Sequence, residues 1–100
     1  MNIQVTNDAA SWYKSEMSLK DGDNLRFFVR YGGFSTFQRG FSLGIEKEEP
    51  SEIGASTTVD GIMFYIEEKD LWYFSGHDLL VSYNAKMDET EFEYLTEQTF

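Results

Sequence analysis

Two neighbouring stretches, residues 25–31 and 37–46, alternate apolar side chains with polar or small ones. A period of two is typical of a β-strand with one buried face, because successive side chains point to opposite sides of a sheet. The segment 32–35 between them begins with two glycines, which suits a tight connection. The sequence therefore predicts two strands joined by a loop. The residues expected on the apolar sides are Leu25, Phe27, Val29, Tyr31, Phe37, Phe41, Leu43 and Ile45.

The rest of the chain adds one helix and several shorter strands. Residues 7–19 carry apolar side chains at helical spacing and follow Thr6, a favourable N-cap. Asp60-Gly61 between two apolar runs is a strong hairpin signal, and residues 67–74 suit a short helical turn. The expected fold class is mostly β, α+β by content, with one N-terminal amphipathic helix. We expect one domain over residues 1–100. The remaining predicted strands are residues 3–5, 62–66, 79–83 and 92–95.

The charge of the chain argues against nucleic acid as a partner. The formal net charge is −10, and residues 51–100 carry eleven acidic and only two basic side chains. Binding a polyanion requires a basic surface that displaces its counterions. The acidic half is therefore expected to be a solvated surface.

The absence of cysteine limits the chemistry further. With no Cys the chain has no disulfide, no zinc-finger spacing and no thiol nucleophile. No segment approaches the roughly 20 apolar residues of a membrane span, and the first residues do not resemble a signal peptide. These observations predict a cytoplasmic protein that does not bind membranes.

In order and spacing, Gly32-Gly33-Phe34-Ser35 resembles the Gly-Gly-Cys-Ser loop of the HesB-like family, which includes the A-type iron–sulfur carriers. The Thr-capped helix with Ala9-Ala10 and the later Asp60-Gly61-Ile62 also recur in that family. Phe34 stands where the family has a ligand cysteine, and no Cys-Gly-Cys follows near the C-terminus. In lacking the cluster cysteines the chain is similar to the YneR-like members of the group.

This resemblance implies a HesB-like fold, in which small twisted sheets form a sandwich or barrel. It implies a relation to iron–sulfur cluster biosynthesis. It also implies a protein partner from iron–sulfur assembly and self-association into oligomers. Clusters are held by thiolates, so the missing cysteines imply that no cofactor or metal is bound. The expected function is a non-enzymatic module that binds a protein or a small anion. The alternative is an iron or iron–sulfur carrier that uses non-cysteine ligands such as His77 and acidic side chains.

The candidate binding surface lies around the glycine loop. Arginine suits the recognition of carboxylates and phosphates, and aromatic residues beside arginine are typical of interface cores. The alternative is that the arginines pair with the protein's own acidic residues. The candidate anion- or partner-binding residues are Arg26, Phe28, Arg30, Gly32, Gly33, Phe34, Ser35 and Arg39.

Catalytic readings have less support. His77 precedes Asp78 and could serve as a general base, but a solvated turn histidine is the simpler interpretation. Ser35 lies in Gly-Phe-Ser-Thr-Phe, which lacks the second glycine of a nucleophile elbow. A small hydrolase or isomerase using His77 is the weakest hypothesis, and we predict no catalytic residues and no enzyme activity.

Overall fold

The computed structural model describes residues 1–33 and 37–96, and this part of the chain contains two open, mixed β-sheets. One sheet has the strand order β1-β6-β7 and the other β3-β2-β5-β4. The pairs β1/β6 and β2/β5 are parallel, and the remaining pairs are antiparallel. The mostly β class is confirmed, although neither sheet closes into a barrel within the described residues. The elements in chain order are β1 (Ile3–Val5), α1 (Asn7–Glu16), β2 (Asn24–Tyr31), β3 (Phe41–Lys47), β4 (Ile53–Val59), β5 (Ile62–Glu67), a 3-10 helix (Glu68–Phe74), β6 (His77–Asn84) and β7 (Glu89–Thr96).

Helix α1 begins where its cap predicts and ends earlier than expected. The Thr6 hydroxyl accepts a hydrogen bond from the Ala9 amide at 3.2 Å, which satisfies one of the unpaired N–H groups of the first turn. Met17 is the C-terminal cap, and Ser18 takes a left-handed conformation at φ 51° that stops the helix. Tyr13 is fully buried and packs α1 against the core.

The core contains residues of both sheets and of α1, and Phe27 on β2 connects them. Its ring lies 6.1 Å from Tyr13 of α1, 6.0 Å from Phe64 of β5 and 5.7 Å from Phe92 of β7, measured between ring centroids. Aromatic pairs at these separations contribute beyond the area that they bury. The alternation in residues 25–31 therefore identified the inward face of β2 correctly at Leu25 and Phe27, both fully buried.

Strand β3 begins at Phe41, four residues later than expected. Gly40 has a φ of 85°, which is outside the β region and prevents residues 37–40 from joining the strand. Gly44 lies under the ring of Phe28 on the neighbouring strand, so a Cβ there would collide with that ring. The Asp60-Gly61 hairpin also forms, with φ values of 52° and 78° that match the favoured two-residue turn.

Strand β2 separates from β5 halfway along its length. The two strands pair only at Asn24, Leu25 and Arg26, whereas β2 stays paired with β3 as far as Tyr31 opposite Phe41. Beyond Arg26, the side chain of Asp70 from the 3-10 helix faces β2. The outer halves of β2 and β3 therefore form a two-stranded ribbon that extends past the sheet.

Strand β7 lies at the edge of its sheet and alternates acidic with half-buried residues. Glu89, Glu91 and Glu93 are exposed, while Phe92 and Tyr94 point toward the interior. β7 pairs with β6 on one side and has no neighbouring strand on the other within residues 1–33 and 37–96. In the same part of the chain, no helix is long and apolar enough to cross a membrane.

Removal of the Asp70 carboxylate tests the contact that separates β2 from β5. Asp70 is 8% exposed, and its carboxylate accepts a hydrogen bond from Arg26 at 3.0 Å. Asp70→Ala should lower the free energy of unfolding by about 3 kcal/mol, because it leaves a buried guanidinium with only part of its pairing. Urea unfolding measures this change. The exposed Glu49 lacks a described ion pair, so Glu49→Ala should stay within about 0.5 kcal/mol of the wild type. Equal losses in both variants would contradict the assigned role.

Glu67 gives the fold an acid-sensitive contact. Its buried carboxylate accepts hydrogen bonds from the Ser51 amide at 2.9 Å and the Glu52 amide at 2.7 Å. The Ser51 hydrogen bond is the main cause that lowers the pKa of Glu67, while burial opposes it. Because the folded-state pKa lies below the unfolded value of 4.5, this contribution is fully present above that pH. It is lost as the pH falls through the folded-state pKa.

Glu67→Gln should therefore destabilise the protein by about 2 kcal/mol at pH 7, since an amide cannot accept both backbone hydrogen bonds as a carboxylate does. The difference from the wild type should shrink when urea unfolding is repeated at pH 3. Glu68→Gln, at an exposed neighbouring position, should show little effect at either pH. A Glu67→Gln difference that does not change with pH would rule out the charged acceptor as its origin.

Candidate functional site

Arg26 is used inside the fold. Its residue exposure is 9%, and its guanidinium lies 3.0 Å from Asp70, 2.9 Å from Glu48 and 3.8 Å from Glu46. Burial by itself would lower the pKa of Arg26, but the hydrogen bonds with Glu48 and Asp70 outweigh it and raise the pKa. For Arg26, the structure thus fits the alternative in which an arginine pairs with the protein's own acidic residues.

The Phe28 ring lies next to the Arg26 guanidinium and over the backbone of Gly44 on β3. The Arg26 guanidinium lies 5.7 Å from the centre of the Phe28 ring, within the range of a cation–π contact. The same ring covers Gly44 on β3. Phe28 is half-buried, so its side chain is less accessible to a partner than the exposed Arg30 and Arg39.

Arg30 and Arg39 remain exposed. Arg30 pairs in register with Ser42 near the end of the ribbon, and Arg39 precedes β3 in the loop. Arg39 therefore does not project from a neighbouring strand as the sequence predicts. Neither arginine forms an ion pair with another residue in the part of the chain that the structure describes.

Glycine is required at position 33, where the loop between β2 and β3 begins. The Gly32 amide donates to the Gly40 carbonyl at 2.7 Å, and the Ser42 hydroxyl donates to the Gly32 carbonyl at 3.0 Å. Gly33 has a φ of 74°, and a Cβ there would collide with the Ser42 hydroxyl. Phe34 and Ser35 of the predicted set lie outside the described residues.

Three aromatic residues beside this loop form an exposed surface that the sequence did not identify. Tyr31 is 88% exposed, Trp72 is 55% exposed, and Phe41 lies between them half-buried. The Phe41 ring makes edge-to-face contacts with Tyr31 at 5.7 Å and with Trp72 at 5.2 Å between centroids. We call Tyr31, Phe41 and Trp72 the aromatic ridge.

Phe37 and Gln38 attach the loop to the other sheet. The Phe37 ring stacks on Tyr94 of β7 with centroids 4.0 Å apart and an interplanar angle of 6°. The Gln38 amide donates to the Tyr73 carbonyl and the Ser75 hydroxyl, both at 3.0 Å. Phe37 thus lies inside a cluster between the sheets, which explains why an apolar residue occurs in this non-strand segment.

His77 is the first residue of β6 and packs against this cluster. Its Nδ1 atom is 3.0 Å from the Phe74 carbonyl oxygen and 3.1 Å from the Ser75 carbonyl oxygen, so Nδ1 carries the hydrogen that these oxygens accept. Its ring lies 5.1 Å from that of Phe37. Within residues 1–33 and 37–96, no group of three His, Cys, Asp or Glu side chains is arranged to hold a metal ion.

A small cavity of the protein lies at the other end of β2 and β3 from the aromatic ridge. A cavity of about 210 Å³ is smaller than the roughly 300–1,000 Å³ of typical ligand sites. It is lined by Gly22, Asp23, Asn24, Lys47, Glu48 and Glu49, away from the aromatic ridge. Exposed Tyr and Trp next to exposed Arg, by contrast, match the composition of the residues that dominate binding at protein–protein interfaces.

Comparison with known proteins identifies relatives along nearly the whole chain. A Bacillus subtilis (strain 168) protein named pyruvate dehydrogenase inhibitor is 57% identical over 94 residues, which cover 94% of this chain and 99% of that protein. An uncharacterised protein of Staphylococcus saprophyticus is 44% identical over 95 residues, covering 92% of this chain and 97% of its own length. One of Staphylococcus haemolyticus is 35% identical over 98 residues, covering 95% and 99% respectively. No family model matches the chain.

These relatives contradict the expected HesB-like kinship. None of the names above refers to HesB or to iron–sulfur chemistry, and the named relative is an inhibitor, which is a regulator rather than a catalyst. The predicted relation to iron–sulfur cluster biosynthesis and the predicted partner from iron–sulfur assembly are therefore wrong. With 57% identity over nearly its full length, the chain belongs to the family of the Bacillus subtilis pyruvate dehydrogenase inhibitor.

Proposed function

We propose that this protein is a non-catalytic inhibitor that binds pyruvate dehydrogenase. The observation that carries the proposal is the 57% identity to the Bacillus subtilis inhibitor over 94% of the chain. The match also extends over 99% of the relative's length, so the two chains correspond along nearly their whole lengths. An inhibitor that acts by binding needs an exposed surface capable of strong contacts, and it needs no catalytic group.

The aromatic ridge, together with Arg30 and Arg39, is the docking surface in this proposal. Tyr31 and Trp72 expose large rings that an interface would cover, and each aromatic side chain buries about 150–250 Å² when enclosed. Trp, Tyr and Arg are enriched among residues that each contribute about 2 kcal/mol or more to a protein complex. The ridge holds two of these three types, and the exposed arginines supply the third.

The charge distribution supports a partner surface that carries carboxylates. The chain has a net charge of −10, and Lys14, Arg26 and Lys47 are paired with acidic side chains of the same chain. Arg30 and Arg39 are exposed and lie close in sequence to Tyr31 and Phe41, and they can form bidentate pairs with carboxylates of another protein. Complementary charge at the rim of an interface mainly raises the association rate.

Removal of either exposed ring tests the docking surface. Tyr31→Ser and Trp72→Ser should each weaken inhibition of purified Bacillus subtilis pyruvate dehydrogenase by about 30-fold, the equivalent of a contribution near 2 kcal/mol. Tyr31 is 88% exposed, so Tyr31→Ser should change the free energy of unfolding by less than about 0.5 kcal/mol. Trp72 is 55% exposed and its ring contacts Phe41, so Trp72→Ser should lower the free energy of unfolding by about 1–2 kcal/mol. Enzyme assays at a series of inhibitor concentrations give the first quantity, and urea unfolding gives the second.

Met87 provides a matched control. It is an apolar residue, 65% exposed, in the turn between β6 and β7. Met87→Ser removes exposed apolar area without touching the ridge and should inhibit like the wild type. Full inhibition by both ridge variants would exclude this docking surface. A wild-type chain that neither binds nor inhibits the enzyme would refute the proposed function itself.

Neutralising the arginines tests the electrostatic part of the proposal. Arg30→Ala with Arg39→Ala should lower the association rate by about tenfold at low salt and flatten its salt dependence, while the dissociation rate changes less. Surface-immobilised pyruvate dehydrogenase and a series of salt concentrations measure both rates. Lys86→Ala, an exposed cation in the β6–β7 turn, is the control and should leave the salt dependence unchanged. An unchanged salt slope in the double variant would contradict the role of the two arginines.

A further inference from the structure

A buried aromatic cluster lies behind the aromatic ridge and connects its two halves. The ridge is built from two separate elements, since Tyr31 and Phe41 belong to the ribbon and Trp72 belongs to the 3-10 helix. Their relative position depends on the contact of Phe41 with Trp72, on the contact of Asp70 with β2, and on contacts behind the ridge. Phe37, Tyr73 and Tyr94 provide such contacts, and we call them the anchor cluster.

The anchor cluster joins three elements through its rings. Phe37, from the loop, stacks on Tyr94 of β7 at 4.0 Å and meets Tyr73 of the 3-10 helix edge-on at 5.5 Å. Tyr73 and Tyr94 also contact each other, with ring centroids 6.0 Å apart. Tyr73 is fully buried, so the helix cannot shift without disturbing the cluster.

Hydrogen bonds extend the cluster to both halves of the ridge. Gln38 donates to the Tyr73 carbonyl at 3.0 Å, next in the chain to Trp72. The Gln38 carbonyl accepts the Phe41 amide at 3.2 Å, which ties the first residue of β3 to the same point. One segment of the loop thus holds Phe41 from one side and the backbone beside Trp72 from the other.

We infer that Tyr94 and Gln38 are positioning residues that hold the two halves of the aromatic ridge in their binding arrangement. The inference rests on the docking role proposed for the ridge. Tyr94 is half-buried on β7 and contacts the inner face of the loop rather than the ridge. Loss of its ring leaves every ridge side chain and the Asp70 contact with β2 in place but removes one support of the loop, so the end of the ribbon is held less firmly against the helix. The partner must then fix their relative position on binding. This ordering costs conformational entropy, so the affinity falls.

The test compares two aromatic residues of the same strand. Tyr94→Leu removes the ring that stacks on Phe37, whereas Phe92→Leu removes the ring that contacts Phe27 at 5.7 Å in the core. Tyr94→Leu should weaken inhibition of Bacillus subtilis pyruvate dehydrogenase about tenfold. Phe92→Leu should keep wild-type inhibition at temperatures where both variants are folded, even though it also destabilises β7. Tyr94→Phe keeps the stacked ring and should restore inhibition to within about twofold of the wild type.

Amide hydrogen exchange gives a readout that does not depend on the enzyme. The Gly32 and Phe41 amides are hydrogen-bonded within the loop. In Tyr94→Leu these amides should exchange at least tenfold faster than in the wild type, while in Phe92→Leu they should change no more than other amides of β2. Gln38→Ala, a partly exposed position that leaves the core intact, should also accelerate exchange at Phe41.

The outcomes separate the two proposals. Faster exchange together with weaker inhibition in Tyr94→Leu supports the positioning role. Unchanged exchange at Gly32 and Phe41, or equal losses of inhibition in Tyr94→Leu and Phe92→Leu, would overturn it. If the wild-type chain does not inhibit the enzyme, the proposed function fails, and the exchange comparison still decides whether Tyr94 holds the ridge.

Discussion

The contact between Asp70 and strand β2 determines most of what is distinctive in this structure. Asp70 accepts a hydrogen bond from the Arg26 guanidinium at 3.0 Å and lies 3.4 Å from the Val29 amide nitrogen, where a continuing β5 would otherwise pair. Pairing between β2 and β5 ends at Arg26, and Asp70 lies along the edge of β2 beyond that point. The outer part of β2 leaves the sheet with β3 as its neighbour and exposes Tyr31. Both the exposed ridge and the loop that bridges the sheets follow from this separation.

Local signals in the sequence predicted the elements well where backbone chemistry alone decides them. The Thr6 cap, the Asp60-Gly61 turn and the helical turn before Ser75 all lie where the sequence places them. The alternation failed at Tyr31, which has the pattern of a core residue but is 88% exposed. Burial at that position depends on how far β5 extends beside β2, and a period of two contains no information about the length of a neighbouring strand.

The candidate site could be predicted only in outline. Arg26, Arg30 and Arg39 look equivalent in the sequence, yet Arg26 is held by acidic residues more than 20 positions away, and the other two are exposed. Trp72 carries no signal of its own, because its exposure follows from the 3-10 helix turning Tyr73 and Phe74 inward. The expected kinship failed for a related reason. Helix caps, glycine loops and Asp-Gly turns are imposed by backbone geometry, so their order can match between families that do not share function.

The row of glutamates on β7 has a consequence for how the protein behaves at high concentration. An unpaired strand edge is a template on which foreign strands can add, and the alternating residues of β7 would otherwise favour such growth. Glu89, Glu91 and Glu93 place three negative charges along this edge, so two copies approaching edge to edge repel each other. The charges on β7 therefore oppose aggregation through this strand edge, even though the protein exposes the rings of the aromatic ridge.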